Sequence, residues 1–321
     1  MSFFWNPVTL LIFLTSISSS IAHASAVPEE VRKSVAFVYV QDPKTGVTHP
    51  NGTGFFVGVR VPNDPNRGWI YVVTNKHVVT DPTTRAWYPS IQLRVNTHTQ
   101  SKFLSIPLYG EPFDVRQDLF PSHDPAVDLV LIAFPFSNEL DHLILPVQDL
   151  IASASPDGPQ VAPGTDLYFT GMFVSYLGGQ KIEPMVRFGR VSMIPQEKVL
   201  FNGYNEDLIL AEVFSFGGNS GSPVFYFWGL DQMPGAVSIG PPLVKLAGVM
   251  QGFFPGNETP YAEVPRIGEE TDVSPEQSPK NTKSPPRPVP VFLPNSGIAA
   301  IIPAQKILDI LDYPEVKLRQ R

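Results

Sequence analysis

Residues 214–225, FSFGGNSGSPVF, place Ser220 among three glycines and between two apolar runs. Two interpretations fit this stretch. It is either a tight turn that needs glycine for its backbone, or a loop whose N–H groups approach a developing negative charge beside an attacking hydroxyl. Because a lone serine in a glycine-rich turn is usually structural, the stretch alone does not distinguish the two.

Two candidate partners for Ser220 lie far before it in the sequence. His77 ends a strand-like segment in VVTNKHVV, and Asp128 begins another in DPAVDLVLIAF. A serine hydroxyl is a poor nucleophile at neutral pH and needs an adjacent base. Histidine suits this role because it titrates near neutral pH, and a buried carboxylate fixes its tautomer and stabilises the imidazolium. Asp124 is the rival carboxylate, but it precedes Pro125 in a turn-like stretch, so we favour Asp128.

Strand signals dominate the rest of the sequence. Short segments rich in β-branched and aromatic residues, bounded by Pro, Gly and Asn, fall into two groups. The first group covers residues 34–40, 53–59, 69–74, 91–95 and 127–134, and the second covers 166–170, 185–193, 208–214, 223–227, 244–253 and 297–302. A helical pattern of apolar residues follows and stops before Pro314: Ala304, Ile307, Leu308 and Leu311. The sequence therefore predicts an all-β fold of two packed six-stranded β-barrels with a C-terminal helix.

The segments TNKHVV, DPAVDLVLI and GNSGSP resemble, in order and context, the motifs of the trypsin-like (chymotrypsin-fold) serine peptidases. Within that family they are most similar to the HtrA-like, cysteine-free bacterial branch, here with no recognisable PDZ domain after the helix. The segments GTGFFV, RFGRVS and SGIAAIIPAQKIL extend the resemblance from about residue 34 to residue 312. The resemblance implies an endopeptidase that forms an acyl-enzyme, with catalytic residues His77, Asp128 and Ser220 and an oxyanion hole made by the N–H groups of Gly218 and Ser220.

The sequence departs from the digestive members of that family at two positions. Asn219 stands where zymogens carry the aspartate that pairs with a new N-terminus, so we expect the oxyanion loop to form without processing. Phe214 stands where trypsins carry the acid of the specificity pocket, which favours a small or apolar substrate residue there. Phe214, Ser215, Phe216 and Gln251 are the predicted substrate-binding residues, with the Gln251 side chain expected to face the pocket.

Composition excludes several function classes. The chain has 321 residues, a net charge of −7 at pH 7 and no basic run, so it offers no electrostatic footprint for nucleic acid. The absence of cysteine excludes thiol catalysis and cysteine-ligated zinc. The remaining histidines lie in polar loops without paired ligand spacing, so we expect no metal and no cofactor. The expected partner is a protein or peptide substrate, and the sequence leaves the oligomeric state open.

The N-terminus predicts export. Residues 1–26 carry no charged side chain and combine an apolar run with Ala24-Ser25-Ala26, which is typical of a signal peptide cut after Ala26. The alternative is a membrane anchor, but polar residues interrupt the run before the roughly 18 apolar residues that an anchor needs. A secreted or periplasmic protein without stable membrane insertion is therefore expected.

The predicted peptidase domain covers residues 27–312, with a first barrel at 34–145, a linker at 146–165, a second barrel and helix at 166–312, and a tail at 313–321. Residues 255–294 are rich in proline and charge, and we expect them to form an extended, disordered insertion. Two further functions compete with catalysis. One is a catalytically silent domain of the same fold that binds peptides or a partner, and the other is a structural β-protein.

Overall fold

The computed structural model describes residues 27, 29–61, 64–108, 118–135, 137–146, 160–228, 243–256 and 295–320. The predicted signal peptide lies outside these residues. So do residues 147–159 of the predicted linker and residues 257–294 of the predicted insertion. None of the helices in the described part of the chain is both long and apolar enough to cross a membrane.

The first half of the chain forms an eight-stranded sheet, preceded by the short helix α1 (Glu29–Arg32). Its strands are β1 (Val35–Gln41), β2 (Thr48–Val61), β3 (Asp64–Thr74), β4 (Ser90–Asn96), β5 (Ser101–Pro107), β6 (Leu119–Pro121), β7 (Val130–Phe134) and β8 (Leu145–Pro146). The order is β5-β4-β1-β2-β3-β7-β6, and β8 pairs with β2 in parallel. Burial alternates along β4 because successive side chains of a strand point to opposite faces.

The second half forms a closed barrel in the order β10-β13-β16-β15-β14-β9. Its strands are β9 (Asp166–Gly171), β10 (Met185–Met193), β13 (Ile209–Glu212), β14 (Pro223–Trp228), β15 (Leu243–Pro255) and β16 (Asn295–Pro303). Between β10 and β13, the strands β11 (Val199–Phe201) and β12 (Tyr204–Glu206) pair as a separate two-stranded sheet. Two short helices end the chain, α2 (Gln305–Leu311) and α3 (Pro314–Arg319).

A shared apolar core joins the two halves. Tyr168 and Phe225 of the barrel stack with ring centroids 5.2 Å apart and belong to one buried cluster with Phe55 and Val73 of the first sheet. The cluster also includes Ile307 of α2, so the C-terminal helices close over the junction. Full burial of each such side chain stabilises the folded state by about 1.5–3 kcal/mol. The junction therefore fixes the loops that leave β3, enter β7 and enter β14 relative to one another.

The predicted fold class is confirmed: the chain is mainly β and forms two β units, followed by short C-terminal helices. The first unit differs in detail, since it is an eight-stranded sheet and not a six-stranded barrel. Sequence patterns missed five strands, which are β5, β6, β8, β11 and β12. Four of these are two or three residues long, too short for alternation to register. Pro314 does end α2, but it also begins α3, because proline fits the first turn of a helix.

Candidate active site

His77 lies on a one-turn 3-10 helix, Lys76–Val78, that follows β3 almost directly. Asn75 keeps an extended backbone between them and donates from its side-chain amide to the carbonyl of Asp128 at 2.9 Å. This bond ties the end of β3 to the segment that precedes β7. The two segments that carry His77 and Asp128 are thus joined independently of the contact between their side chains.

Asp128 binds His77 through both carboxylate oxygens. Oδ1 accepts the backbone N–H of His77 at 3.0 Å, and Oδ2 pairs with the ring Nδ1 in a short contact. Because Nδ1 is engaged, the lone pair of Nε2 is the one available to take a proton. The His77 side chain is 38% exposed and that of Asp128 is 19% exposed, so the ring reaches the surface while the carboxylate is largely covered. A histidine that acts as a general base needs this combination of an oriented ring and an accessible nitrogen.

Asp124, the rival carboxylate, stands in a turn. Its Oδ1 accepts the N–H of Ala126 at 2.9 Å, and its carbonyl accepts the N–H of Val127 at 3.1 Å. Within the described part of the chain its side chain makes no hydrogen bond to His77. The carboxylate that orients the imidazole is that of Asp128.

The segment that carries Ser220 packs close to the segment that carries His77. A Cβ added to Gly52 would lie 2.7 Å from the Val78 side chain and 3.1 Å from the Ser220 carbonyl oxygen, so the segments of His77 and Ser220 pack against one glycine. The Ser220 hydroxyl donates to the carbonyl of Gln251 at 3.0 Å and not to His77. The Ser220 side chain must rotate about its Cα–Cβ bond to another staggered position before the hydroxyl can donate to a group other than Gln251, such as His77.

The loop around Ser220 requires glycine at two positions. Gly218 and Gly221 have φ of +92° and +84°, in the left-handed region that residues with a Cβ rarely adopt. A Cβ at Gly221 would overlap the Thr53 carbonyl oxygen, and a Cβ at Gly218 would lie 2.6 Å from Val174. Gly218 and Gly221 are therefore needed both for backbone conformation and for close packing, whereas Gly217 has open space around its Cα.

Asn219 is buried and holds this loop in place. Its Oδ1 accepts the N–H of Phe216 at 2.8 Å, and its Nδ2 donates to the carbonyl of Met172 at 2.7 Å. Its own carbonyl accepts the N–H of Ser222 at 3.0 Å. Because a trans peptide directs its C=O and N–H to opposite sides, the Ser220 N–H points away from Ser222.

The backbone N–H groups of Gly218 and Ser220 form no hydrogen bond within the described residues. Thr53, fully buried on β2, fixes the peptides that flank them. Its N–H donates to the Ser220 carbonyl at 2.8 Å, and its hydroxyl donates to the Gly218 carbonyl at 2.8 Å. The same hydroxyl accepts the N–H of Met172 at 2.9 Å. Two donors held in this way, without acceptors of their own, can bind an oxyanion.

The predicted substrate-binding residues fall into two sets. Phe214 and Phe216 are 59% and 48% exposed, and their rings stack with centroids 6.4 Å apart. The Arg187 guanidinium lies 5.0 Å from the centroid of the Phe216 ring, within the range of a cation–π contact. Ser215 between them is buried, and its hydroxyl has no partner among the described residues. The two phenylalanines thus offer an apolar surface beside the loop that carries Ser220.

The side chain of Gln251 does not have the orientation that was predicted for it. It does not face a pocket, since it is 3% exposed and its Nε2 donates to both carboxylate oxygens of Glu206 at 3.1 Å. The hairpin of β11 and β12, which the sequence patterns did not predict, brings Glu206 to this position. Phe201 of the same hairpin packs beside Gly252, where an added Cβ would lie 3.4 Å from its ring. Only the backbone carbonyl of Gln251 belongs to the site, as the acceptor of the Ser220 hydroxyl.

Two ionisable groups that interact with Asp128, buried Glu206 and partly buried Lys76, have shifted pKa values. The pKa of Glu206 is raised to about 7: burial is the main cause and the carboxylates of Asp128 and Asp124 add to it, while the bonds from Gln251 and the charge of Lys76 act in the opposite direction. Burial also lowers the pKa of Lys76, against the raising effect of the three carboxylates. The Lys76 ammonium donates to the carbonyls of Ser122 and Asp124 at 3.0 and 3.2 Å.

Sequence reasoning missed three residues of this site, namely Thr53, Lys76 and Glu206. Thr53 lies in GTGFFV and Lys76 in TNKHVV, segments whose resemblance was noted without a role for these side chains. Glu206 had no detectable signal, because a lone acid in a polar stretch usually stays in solvent. No cluster of three His, Asp or Glu side chains that could hold a metal ion occurs among the described residues.

Comparison with known proteins identifies a family that this chain matches. Residues 52–227 match the family described as Trypsin-like peptidase domain, which covers more than half of the chain. The matched range includes His77, Asp128 and Ser220. No match was found among curated protein sequences.

Several solved structures are similar to this chain. The MamO protease domain from Magnetospirillum magneticum (apo form) is 15% identical with a TM-score of 0.48, covering 89% of this chain and 99% of that one. The Rv3671c protease from M. tuberculosis in its active form is 15% identical with a TM-score of 0.43, covering 88% and 80%. Deg5 is 18% identical with a TM-score of 0.40, covering 69% and 80%.

Proposed function

The chain belongs to the trypsin-like peptidase domain family, and we propose that it is a serine endopeptidase that uses His77, Asp128 and Ser220. A peptidase acts on protein or peptide substrates. The observation that carries the serine-type assignment is the double contact of Asp128 with the ring and the backbone of His77. That contact orients a base whose free nitrogen can serve a nearby hydroxyl.

The proposed reaction follows from this geometry. The Ser220 hydroxyl leaves the Gln251 carbonyl, passes its proton to Nε2 of His77 and attacks the scissile carbonyl carbon. The N–H groups of Gly218 and Ser220 bind the resulting oxyanion, and Asp128 stabilises the imidazolium. His77 then gives the proton to the leaving amine, and an acyl-enzyme remains on Ser220. Water, activated by the same histidine, releases the acyl group and restores the hydroxyl.

One observation favours a second candidate function, a catalytically silent domain that binds peptides. The Ser220 hydroxyl donates to the Gln251 carbonyl and not to His77. If that bond persisted in solution, the base would have no hydroxyl to activate. The exposed pair Phe214 and Phe216 would still offer a peptide an apolar surface.

Labelling with a fluorophosphonate probe distinguishes the two functions. The wild type should form a covalent adduct at Ser220, and Ser220→Ala should not. Ser222→Ala is the matched control, because it removes a neighbouring hydroxyl that is buried and has no partner among the described residues. Loss of the nucleophile should also lower kcat for peptide hydrolysis by about 10⁶. Equal labelling or hydrolysis by wild type and Ser220→Ala would refute the serine mechanism.

We also propose that the protein is exported to a secreted or periplasmic location. The support is the uncharged, apolar N-terminus with its small residues at Ala24 and Ala26. The mature chain should begin at or near Val27. Sequencing the N-terminus of protein recovered outside the cytoplasm tests this, and an intact Met1 in that fraction would contradict cleavage.

A further inference from the structure

Glu206 is a buried carboxylate with no role in the reaction described above. It is 3% exposed and lies at the end of β12. Burying a carboxylate is costly unless hydrogen bonds or a cation compensate. Its two oxygens are bound by one group, the side-chain amide of Gln251, at 3.1 Å each. The partner of Glu206 is therefore the residue that also receives the Ser220 hydroxyl.

Gln251 occupies an irregular point of β15. The register of β15 with β16 shifts between Met250 and Gly252, so Gln251 has no partner residue in that ladder. Such a bulge frees backbone groups from strand pairing and is frequent beside active sites. Here the freed carbonyl accepts the Ser220 hydroxyl at 3.0 Å. Adjacent Met250 is held firmly, accepting the N–H of Gly221 at 2.8 Å and donating to Ser222 at 2.9 Å.

The bulge thus has two anchors that act on the same residue. The backbone of Met250 fixes it on one side, and Glu206 fixes the Gln251 side chain on the other. Without Glu206 the amide would be buried with neither its N–H groups nor its oxygen satisfied, because Gln251 Oε1 already lacks a partner among the described residues. A change at Glu206 should therefore reach the Ser220 hydroxyl through one intervening residue.

Among the described residues, the charges that act on Glu206 come from two segments. Asp128 and Asp124 belong to the loop before β7, and Lys76 belongs to the 3-10 helix of His77. Gln251, from β15, is neutral. Because burial and the two carboxylates raise its pKa to about 7, Glu206 changes charge near neutral pH. Its ionised form adds a negative charge that interacts with Asp128, the carboxylate proposed to stabilise the imidazolium.

We propose that Glu206 is a positioning residue for the nucleophile: it holds the bulge residue Gln251, whose carbonyl sets the Ser220 hydroxyl, and its ionisation reinforces Asp128. This inference rests on the proposed serine mechanism. Ionised Glu206 accepts two bonds from the Gln251 amide. Protonated Glu206 loses one acceptor and offers its proton to Oε1 of Gln251, so the two charge states hold the bulge differently. Reactivity should therefore rise as Glu206 loses its proton.

The test is the pH dependence of fluorophosphonate labelling in the wild type and in Glu206→Gln. The variant keeps the size of the side chain and imitates the protonated acid at every pH. Near pH 5.5 the two proteins should react at similar rates. Near pH 8 the variant should have a maximal rate about tenfold lower, with a similar half-saturating probe concentration, reflecting the loss of a bond to a charged group. Glu197→Gln, at an exposed glutamate before β11, is the matched control and should follow the wild type.

Each outcome decides between the proposals. A rate ratio that stays constant across pH, or a Glu206→Gln profile that superimposes on that of Glu197→Gln, would overturn the role of Glu206 while leaving the serine mechanism intact. A wild type that does not react at any pH would overturn the proposed function itself. If Glu206→Gln fails to fold, the wild type alone is informative. Its acid limb should be steeper than one deprotonation, and a single-proton limb would overturn the inference.

Discussion

Replacing Asn219 by alanine tests whether this side chain holds the loop around Ser220 in place. In the structure the Asn219 side chain joins two segments, accepting from the N–H of Phe216 at 2.8 Å and donating to the carbonyl of Met172 at 2.7 Å. Alanine removes both bonds. It keeps the backbone bond from the Asn219 N–H to the Phe216 carbonyl at 3.0 Å, so the turn itself can persist.

The expected loss of stability follows from these two bonds. Each net hydrogen bond contributes about 0.5–1.5 kcal/mol, and a buried group left without its partner costs about 1–3 kcal/mol. Because Asn219 is 3% exposed, water does not readily replace the missing amide. We expect the free energy of unfolding to fall by about 2–3 kcal/mol. We also expect kcat to fall by about 10²–10³, the effect of losing one oxyanion donor, if the Gly218 and Ser220 N–H groups lose their alignment.

Urea unfolding and fluorophosphonate labelling measure the two effects separately. A shift of the unfolding midpoint with an unchanged slope would report lost stability. Asn205→Ala, at an exposed asparagine on β12, is the matched control and should leave both quantities unchanged. Normal labelling and a stability change below about 0.5 kcal/mol in Asn219→Ala would refute the reasoning. That result would mean that another contact holds the loop.

Three further predictions follow from the site. Asp128→Asn should lower kcat by about 10⁴, because the amide favours the wrong imidazole tautomer. Asp124→Asn should lower kcat far less, and the reverse order would mean that Asp124 is the catalytic carboxylate. Gly221→Ala should lower the free energy of unfolding by at least about 3 kcal/mol, since it combines a positive φ with a backbone overlap. Gly217→Ala is the control, because Gly217 has open space around it. Equal urea midpoints for the two variants would contradict the close packing of Gly221 against Thr53. The folded state binds the Glu206 proton more tightly than the unfolded chain, so the wild type should lose about 3 kcal/mol of stability relative to Glu206→Gln as the pH rises from 4.5 to about 7. A pH-independent difference between these two urea titrations would show that Glu206 does not titrate in this range.

The sequence by itself predicted the fold class and the chemical groups of the candidate site. Alternating and apolar runs indicated most of the long strands, because the period of two is a local property of extended backbone. The glycines around Ser220 indicated a backbone conformation that residues with a Cβ rarely adopt. Gly218 and Gly221 do have positive φ. The roles assigned to His77, Asp128 and Ser220 stay predictions until they are tested, but their segments lie together in the folded chain.

Only the tertiary structure decided which groups contact one another around these residues. Glu206 reaches Gln251 because a hairpin of two three-residue strands folds over β15, and strands so short leave no periodic signal. Thr53 binds the Ser220 loop across the junction between the two halves, a contact that no local pattern encodes. Sequence patterns report which face of an element is apolar, whereas the pairing of buried polar groups depends on distances between segments far apart in the chain. For that reason the side chain of Gln251, which was predicted to face a pocket, instead binds Glu206 in the interior.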